Sequence, residues 1–524
     1  MAFEELLPGF WKFYDTCNVY LLKNGNKAIA IDFGSGKWMA ELPSLGITNL
    51  EHVLLTHHHD DQCDGLLKRG DWPFEIHAPS GEELFLSPEK KEEFHCAPWF
   101  GSGCPLSYAA PRGRINNIKY DLAGFGFFFW NDLRMRVIHT PGHGQNACSI
   151  MIPIKNKQIV CCGDAAHDGA TIWEPYHLEW DHWTGAGVLA AWEGIERLHG
   201  IGIDMLCPSH GPAIKKNPRN MLRILSGKLL RLYRQKGQIS PGEPDLNIKG
   251  EKLDCGAWRY LPHLYQFGNN GYLLVSEKGD ALVVDPTTSD IKALEALCKE
   301  LTVTPSAMAV SHFHFDHCDA IPELRSRYGA KAWLHPSVAE PWKDPEHTIL
   351  PWILPKCLGP FELWPEHGVW SWNEYSFKVA PWPGQTWWHC VFMAKIDGRN
   401  VMFAGDSFQP SAIWNGTGGF CAYNNSRFLD GYVPSAQLAL DWRPDIMAAG
   451  HTNCYHFSAK KFVKIQRWAR KAHDALLALC PSGDLEKDYY SLFDRISEKG
   501  FHRLPSKNRQ TEENANSHIE GGRV

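Results

Sequence analysis

One constellation occurs twice in this chain, and its repetition limits the available folds more than any other feature. Thr56-His57-His58-His59-Asp60-Asp61-Gln62-Cys63-Asp64-Gly65 follows the apolar run Val53-Leu54-Leu55. Ser311-His312-Phe313-His314-Phe315-Asp316-His317-Cys318-Asp319-Ala320 follows Ala307-Met308-Ala309-Val310, at a constant separation of 255 residues. Further pairs keep the same order. His139-Thr140-Pro141-Gly142-His143 matches Pro381-Trp382-Pro383-Gly384-Gln385, and Gly163-Asp164 matches Gly405-Asp406, both 242 residues on. His210 matches His451 at 241. Upstream, the hairpin of Asn18–Leu22 and Ala28–Ile31 returns as Asn270–Val275 and Ala281–Val284. The apolar helical stripe Leu222, Leu225, Leu229 and Leu232 returns as Phe462, Ile465, Ala469 and Ala472. Chance similarity does not keep order and spacing together, so the chain reads as a tandem duplication.

At 524 residues the chain exceeds what one core supports. We expect a first domain over 1–236 with a trailing helix and a second over 263–505, also with a trailing helix. Between them, 237–262 holds Gly237, Pro241, Gly242, Pro244, Gly250 and Gly256 and suits a linker or an arm laid over the partner domain. The polar, apolar-poor stretch 506–524 reads as a disordered tail. Strand, helix, strand and ligand loop is an α/β pattern. The intervening helix is clearest in the second copy, where Ile291, Leu294, Leu297, Cys298 and Leu301 keep helical spacing.

A net charge of −6 and no basic stripe argue against a nucleic-acid partner. The start of the chain lacks the features of a signal peptide, and the run Phe125–Trp130 is too short to span a bilayer. The 16 cysteines include no CxxC pair and read as reduced thiols of a cytoplasmic protein. The expected partner is a small-molecule substrate, with neither nucleic acid nor membrane.

His57 and His59 lie two apart at a strand end, so both side chains leave on one face. Asp61 follows on the loop, while His143, Asp164 and His210 each follow a strand-like run and could converge on one sheet edge. Imidazole and carboxylate together suit zinc, iron or manganese. His312, His314, Asp316, His317, Asp406 and His451 repeat the arrangement. Asp32 and Asp285 end strands nearby, and could either hydrogen-bond ligand histidines or cap turns. Cys161-Cys162 reads as a buried strand end. The segment Trp173–Trp183 suits a pocket wall or inter-domain packing, and its counterpart Trp414–Phe420 is Gly-rich and differs.

These motifs resemble the metallo-β-lactamase superfamily of hydrolases, in two tandem copies closest in style to the glyoxalase-II and lactonase-like branches. The resemblance implies an αββα sandwich with metals at one edge between the sheets. It also implies roles. His57, His59 and His143 would hold one metal, Asp61 and His210 a second, and Asp164 would bridge. In the second copy His312 and His314 would serve the first metal, Asp316, His317 and His451 the second, and Asp406 the bridge. Asp61 and Asp316 would also act catalytically, orienting the attacking water or taking its proton. Each copy departs from the pattern once. Gln62 stands where the motif's last histidine is expected, and Gln385 where the third is expected; a glutamine oxygen is at best a weak ligand. Two binuclear sites, two mononuclear sites, or one working and one retired domain all fit this pattern.

The function implied is a metal-dependent hydrolase, with one or two zinc ions per domain. A metal-bound hydroxide would attack an ester, thioester, lactone or similar bond. Iron or manganese could replace zinc. Two alternatives remain: a mononuclear iron thiol or persulfide dioxygenase at His57/His59/His143, prompted by Gln62, and a non-catalytic scaffold with degenerate sites.

Overall fold

The structure, a computed structural model, describes residues 3–86, 110–111, 113–180, 187–237, 246–343, 359–408 and 427–490. The first half builds two sheets. The first runs in chain order through β1 (Phe3–Leu7), β2 (Phe10–Tyr14), β3 (Asn18–Asn24), β4 (Lys27–Ile31), β5 (Asn49–Leu54), β6 (Glu75–Pro79) and β7 (Ile118–Leu122). It is antiparallel up to β4 and parallel from β4 to β7. The second sheet comprises β8 (Phe127–Trp130), β9 (Leu133–His139), β10 (Cys148–Ile154), β11 (Lys157–Gly163) and β12 (Met205–Pro208), ordered β12-β11-β10-β9-β8.

Alternation decides which side chains meet between the sheets. Ile29, Ile31 and Leu54 of the first sheet pack on Cys148, Ile150, Ile159 and Cys161 of the second. The opposite face of the first sheet buries Val19, Leu21, Val53 and Ile76 under Trp38 and Leu42. Outside the second sheet lie helices α1 (Val188–His199) and α2 (Pro218–Gly237).

The second half repeats the plan. Its first sheet runs β13 (Glu251–Lys252), β14 (Trp258–Leu261), β15 (Leu264–Phe267), β16 (Gly271–Val275), β17 (Asp280–Val284), β18 (Thr304–Val310), β19 (Lys331–Leu334) and β20 (Glu362–Leu363). Its second runs β21 (Gly368–Trp372), β22 (Tyr375–Pro381), β23 (Cys390–Ile396), β24 (Arg399–Gly405), β25 (Ile446–Ala449) and β26 (Tyr455–His456). The helices are α3 (Ile291–Leu301), α4 (Ile321–Tyr328), α5 (Pro336–Lys343), α6 (Val433–Trp442) and α7 (Ala459–Leu477).

Two boundaries differ from the sequence reading. Residues 251–261, expected within a linker, supply β13 and β14, and β14 pairs antiparallel with β15. β14 and β15 take the places of β1 and β2, and β13 adds one strand outside them, so the first sheet of the second half starts inside the Gly/Pro-rich segment. The counterpart of α3 in the first half is the 3-10 segment Lys37–Leu45, in which Pro43 removes a backbone donor. The expected tail, 506–524, and the Gly-rich Trp414–Phe420 lie outside the described residues.

The two trailing helices face each other. Leu222, Leu225, Leu229 and Leu232 of α2 share one core with Phe462, Ile465, Ala469 and Ala472 of α7. The Trp468 indole donates to the Gln235 carbonyl. The Ile172 amide donates to the Leu479 carbonyl at 2.9 Å. Among the described residues no helix is long and apolar enough to cross a membrane.

Candidate metal centres

In the first domain the ligand loop leaves the C-terminal end of β5 and is held from below by Asp32. This residue ends β4 in the left-handed region, at φ 58°, a conformation that costs a non-glycine residue about 1 kcal/mol or more. Its carboxylate repays that strain by accepting from the Thr56 amide at 2.7 Å, the Thr56 hydroxyl at 3.0 Å and the Ser209 hydroxyl at 2.9 Å. Burial pushes the Asp32 carboxyl up to about 7. The Thr56 oxygen also lies 2.9 Å from His57 Nδ1. With the hydroxyl proton given to Asp32, that oxygen accepts from His57 Nδ1–H, and the Nε2 lone pair faces the site.

His57 Nε2 is buried without a hydrogen-bond partner, 3.7 Å from Asp164 Oδ2. His59 Nδ1 lies 3.1 Å from His143 Nε2. The ligand atoms of His57, His59 and His143 all fall within 4.8 Å of one another. Burial drives His57 down to about 3 and His59 and His143 well below the usual histidine range. All three are therefore neutral at pH 7, with lone pairs to give. Zinc bonds of about 2.0–2.2 Å separate ligand atoms by roughly 3–3.5 Å, so the donor set fits a divalent first-row ion.

Beside them, Asp61, Asp164 and His210 form a second group. His210 Nδ1 is 2.9 Å from Asp164 Oδ1 and its Nε2 3.1 Å from Asp61 Oδ2. Burial lowers His210, but the facing Asp164 and Asp61 carboxylates outweigh it and hold it well above its usual range. Gln62 is fully buried. Its amide donates to Asp61 Oδ2 at 3.2 Å and to Asp164 Oδ2 at 3.3 Å. The side chain thus acts as a donor where the motif would place an imidazole lone pair.

In the second domain Asp285 (φ 51°) takes the place of Asp32. It accepts from the Ser311 amide and hydroxyl, both at 2.7 Å, and also lies 3.1 Å from His317 Nδ1. His312 Nε2 lies 3.0 Å from His314 Nδ1 and 3.8 Å from Asp406 Oδ2. The Gln385 amide donates to Asp406 Oδ2 at 3.0 Å, repeating in this domain what Gln62 does to Asp164. His451 Nε2 lies 3.1 Å from Asp316 Oδ2 and 3.2 Å from Asp406 Oδ2, and His317 Nε2 lies 3.4 Å from Asp406 Oδ1. Two ligand-grade groups result: His312/His314/Asp406 and Asp316/His317/His451. Burial lowers His451, yet the Asp406 and Asp316 carboxylates raise it to about 9, and His317 is likewise held well above its usual range.

Several neighbours were not singled out in the sequence. The His177 ring packs 4.5 Å from His59 and 4.8 Å from His143. Trp173 stacks on His210 at 4.3 Å. Both belong to the aromatic segment read as a pocket wall; its remainder, 181–183, lies outside the described residues. His58, the middle histidine of its triplet, instead meets the buried Glu82 carboxylate at 2.5 Å. His389, four residues past Gln385, stacks flat on His312 at 4.8 Å. Its Nε2 faces the β24 backbone, where a Cβ on Gly405 would lie 2.7 Å away, so it does not replace the missing third histidine. Cys161 and Cys162 are buried, and burial raises both thiols well above the usual range, which leaves them inert.

Two expectations follow from the charge states. Zinc entering the three-histidine group meets neutral imidazoles and releases no proton from them. Zinc entering Asp316/His317/His451 must expel protons, because His451 titrates at about 9. Lower pH therefore opposes binding there, by up to about tenfold per pH unit for each displaced proton. Calorimetric zinc titration in two buffers of different ionisation enthalpy, between about pH 6 and 8, should separate the two positions; equal proton release at both would contradict this. Asp285 touches His317 directly, whereas Asp32 reaches His57 only through Thr56. Asp285→Ala is expected to weaken zinc at the second domain by about 10–100-fold, a larger loss than Asp32→Ala causes at the first, as read by competition with a chelating dye.

Each half of the chain is thus an αββα sandwich whose strand-end loops gather histidine and aspartate into two adjoining ligand groups. The sequence profile of the metallo-beta-lactamase superfamily matches residues 14–213 and 264–451, and the chain belongs to that superfamily, as two tandem copies. An uncharacterized protein of Mycobacterium leprae is 30% identical over 153 residues, spanning 28% of this chain and 70% of that protein. The hydroxyacylglutathione hydrolase of Wigglesworthia glossinidia brevipalpis is 28% identical over 116 residues, spanning 21% of this chain and 43% of that enzyme. Among solved structures, a metallo-beta-lactamase family protein of Thermus thermophilus shares 18% identity and a TM-score of 0.32, covering 45% of this chain and 84% of that one.

Proposed function

We propose that this protein is a zinc-dependent hydrolase of small molecules, cleaving an ester, thioester or lactone. The observation that carries the reading is the meeting of two ligand groups at one buried carboxylate, Asp164, beside three neutral histidines. A divalent metal held there would lower the pKa of water toward neutrality and polarise a scissile carbonyl. His57, His59 and His143 fix its place. Asp61 would orient the reacting water and take its proton, with its Oδ2 already held by the Gln62 amide and His210. His177 and Trp173 supply the wall against which the acyl group rests. In each domain the glutamine amide donates to the shared aspartate, Asp164 or Asp406. This favours one tightly held metal per domain, at His57/His59/His143 in the first and at Asp316/His317/His451 in the second. Asp316 would take the part of Asp61 there. The similarity to a hydroxyacylglutathione hydrolase supports a thioester substrate. Among the described residues the cysteines form no disulfide, which suits a reducing, cytoplasmic setting.

A panel of lactones, aryl esters and acyl-glutathione thioesters tests the proposal, with the zinc-loaded full chain as catalyst. Turnover of one class, lost on chelation and restored by zinc, is the expected result. Gln62 gives specific support to a second reading, since its amide donors reduce the first domain to its three histidines. Such a mononuclear site would suit an iron thiol dioxygenase. Iron in the purified protein, oxygen uptake with thiols and no hydrolysis would replace the hydrolase reading with that one.

A further inference from the structure

A third ligand group lies outside both centres, on the parallel strands β5, β6 and β7. In their register His52 pairs with Glu75 and Leu54 with His77, which puts His52, Glu75 and His77 on one face. It is the face toward the second sheet, where Leu54 enters the inter-sheet core. Phe128 of β8 packs edge-on against both imidazoles, at 5.3 and 4.9 Å. His52 Nδ1 lies 3.1 Å from His77 Nε2. Glu75 Oε2 lies 3.4 Å from the first and 3.6 Å from the second. These edges match the roughly 3.3 Å separation of nitrogen and oxygen ligands around tetrahedral zinc. The far side of His77 is also arranged for a ligand. Its Nδ1 lies 2.9 Å from Asp121 Oδ1 on β7, so Nδ1–H donates to that carboxylate and the Nε2 lone pair is aimed at His52 and Glu75. A carboxylate behind a metal-binding histidine fixes its tautomer and strengthens it as a donor. Lys119 holds the other oxygen of Glu75, Oε1, at 2.5 Å and orients the carboxylate. Glu75 is half-exposed, which opens the fourth position to water.

We propose that His52, Glu75 and His77 bind a divalent first-row cation, with zinc as the expected occupant, as a clip joining β5, β6 and β7. Without the ion, His52 Nδ1–H donates to His77 Nε2. On binding, that proton moves to His52 Nε2 through solvent, and Nδ1 turns its lone pair to the metal with no net proton released. The half-exposed carboxylate and its lysine partner make this position weaker than the buried centres, so it fills only in excess zinc. The site shares no residue with the proposed hydrolytic centres and stands or falls separately from them.

The test uses the full chain, brought to equilibrium by dialysis against a fixed excess of zinc, with the zinc of the outer buffer subtracted. Elemental analysis should find about one zinc fewer in His52→Ala and in Glu75→Gln than in wild type, with the metal lost in His59→Ala still present in both variants. Diffraction from zinc-loaded crystals at the zinc absorption edge should give an anomalous peak between His52 Nδ1, His77 Nε2 and Glu75 Oε2. Equal zinc in wild type and both variants, or no anomalous peak there, overturns the proposal.

Discussion

Replacing His59 with alanine is expected to lower hydrolytic kcat/KM by more than about 100-fold, beyond the 10–100-fold that follows loss of a residue merely supporting a metal ligand. His59 is buried, and its Nδ1 faces His143 Nε2 at 3.1 Å. Without it, His57 and His143 remain as two neutral donors that cannot close a tetrahedral site, and Gln62 has already taken up the oxygens of Asp61 and Asp164 that could compensate. The effect must be separated from disturbed packing, because His177 leans on the same ring. His177→Ala opens a similar space while removing no ligand, and should keep its zinc and lose only the activity that its part of the acyl wall supplies. Equal losses in the two variants would show that packing, not ligation, supports the activity.

Gln62→His should have the opposite effect and add about one zinc per chain. Asp61, Asp164 and His210 are already assembled around that position, with His210 2.9 and 3.1 Å from the two carboxylates. Only a donor pointing the right way is missing. Histidine replaces an amide that gives protons to Asp61 and Asp164 with a ring nitrogen that gives a lone pair. Gln385→His should do the same for His312 and His314. Direct zinc counting on the purified variants reads both changes. If neither variant gains metal, the glutamines are not what holds each domain to one tight site.

The repeated ligand motif, the α3 helix and the facing stripes of α2 and α7 were legible because each rests on local spacing or on the match between copies. The start of the second half's first sheet was not, because Pro241, Pro244, Gly250 and Gly256 looked like linker composition, while the antiparallel pairing of β13, β14 and β15 that makes them strands leaves no periodic signal. His177 and His389 were hidden for a different reason. His177 approaches from the 3-10 segment Pro175–Trp180 and His389 from just before β23, and no motif spacing announces a ring contact. The His52/Glu75/His77 group depends on the register of two parallel strands, which the sequence does not encode locally. Asp32 and Asp285 stood in equivalent sequence positions, yet only Asp285 touches a candidate ligand, because Gln62 replaced the histidine that Asp32 would have met.

Each domain is expected to keep one tight metal position, with a glutamine in the way of the other. Metal content per chain tests it most directly, measured by elemental analysis on protein purified without added metal, as wild type, His59→Ala and His317→Ala. Wild type should hold about two zinc ions and each variant about one. About four in wild type, or the loss of all metal in a single variant, would contradict it.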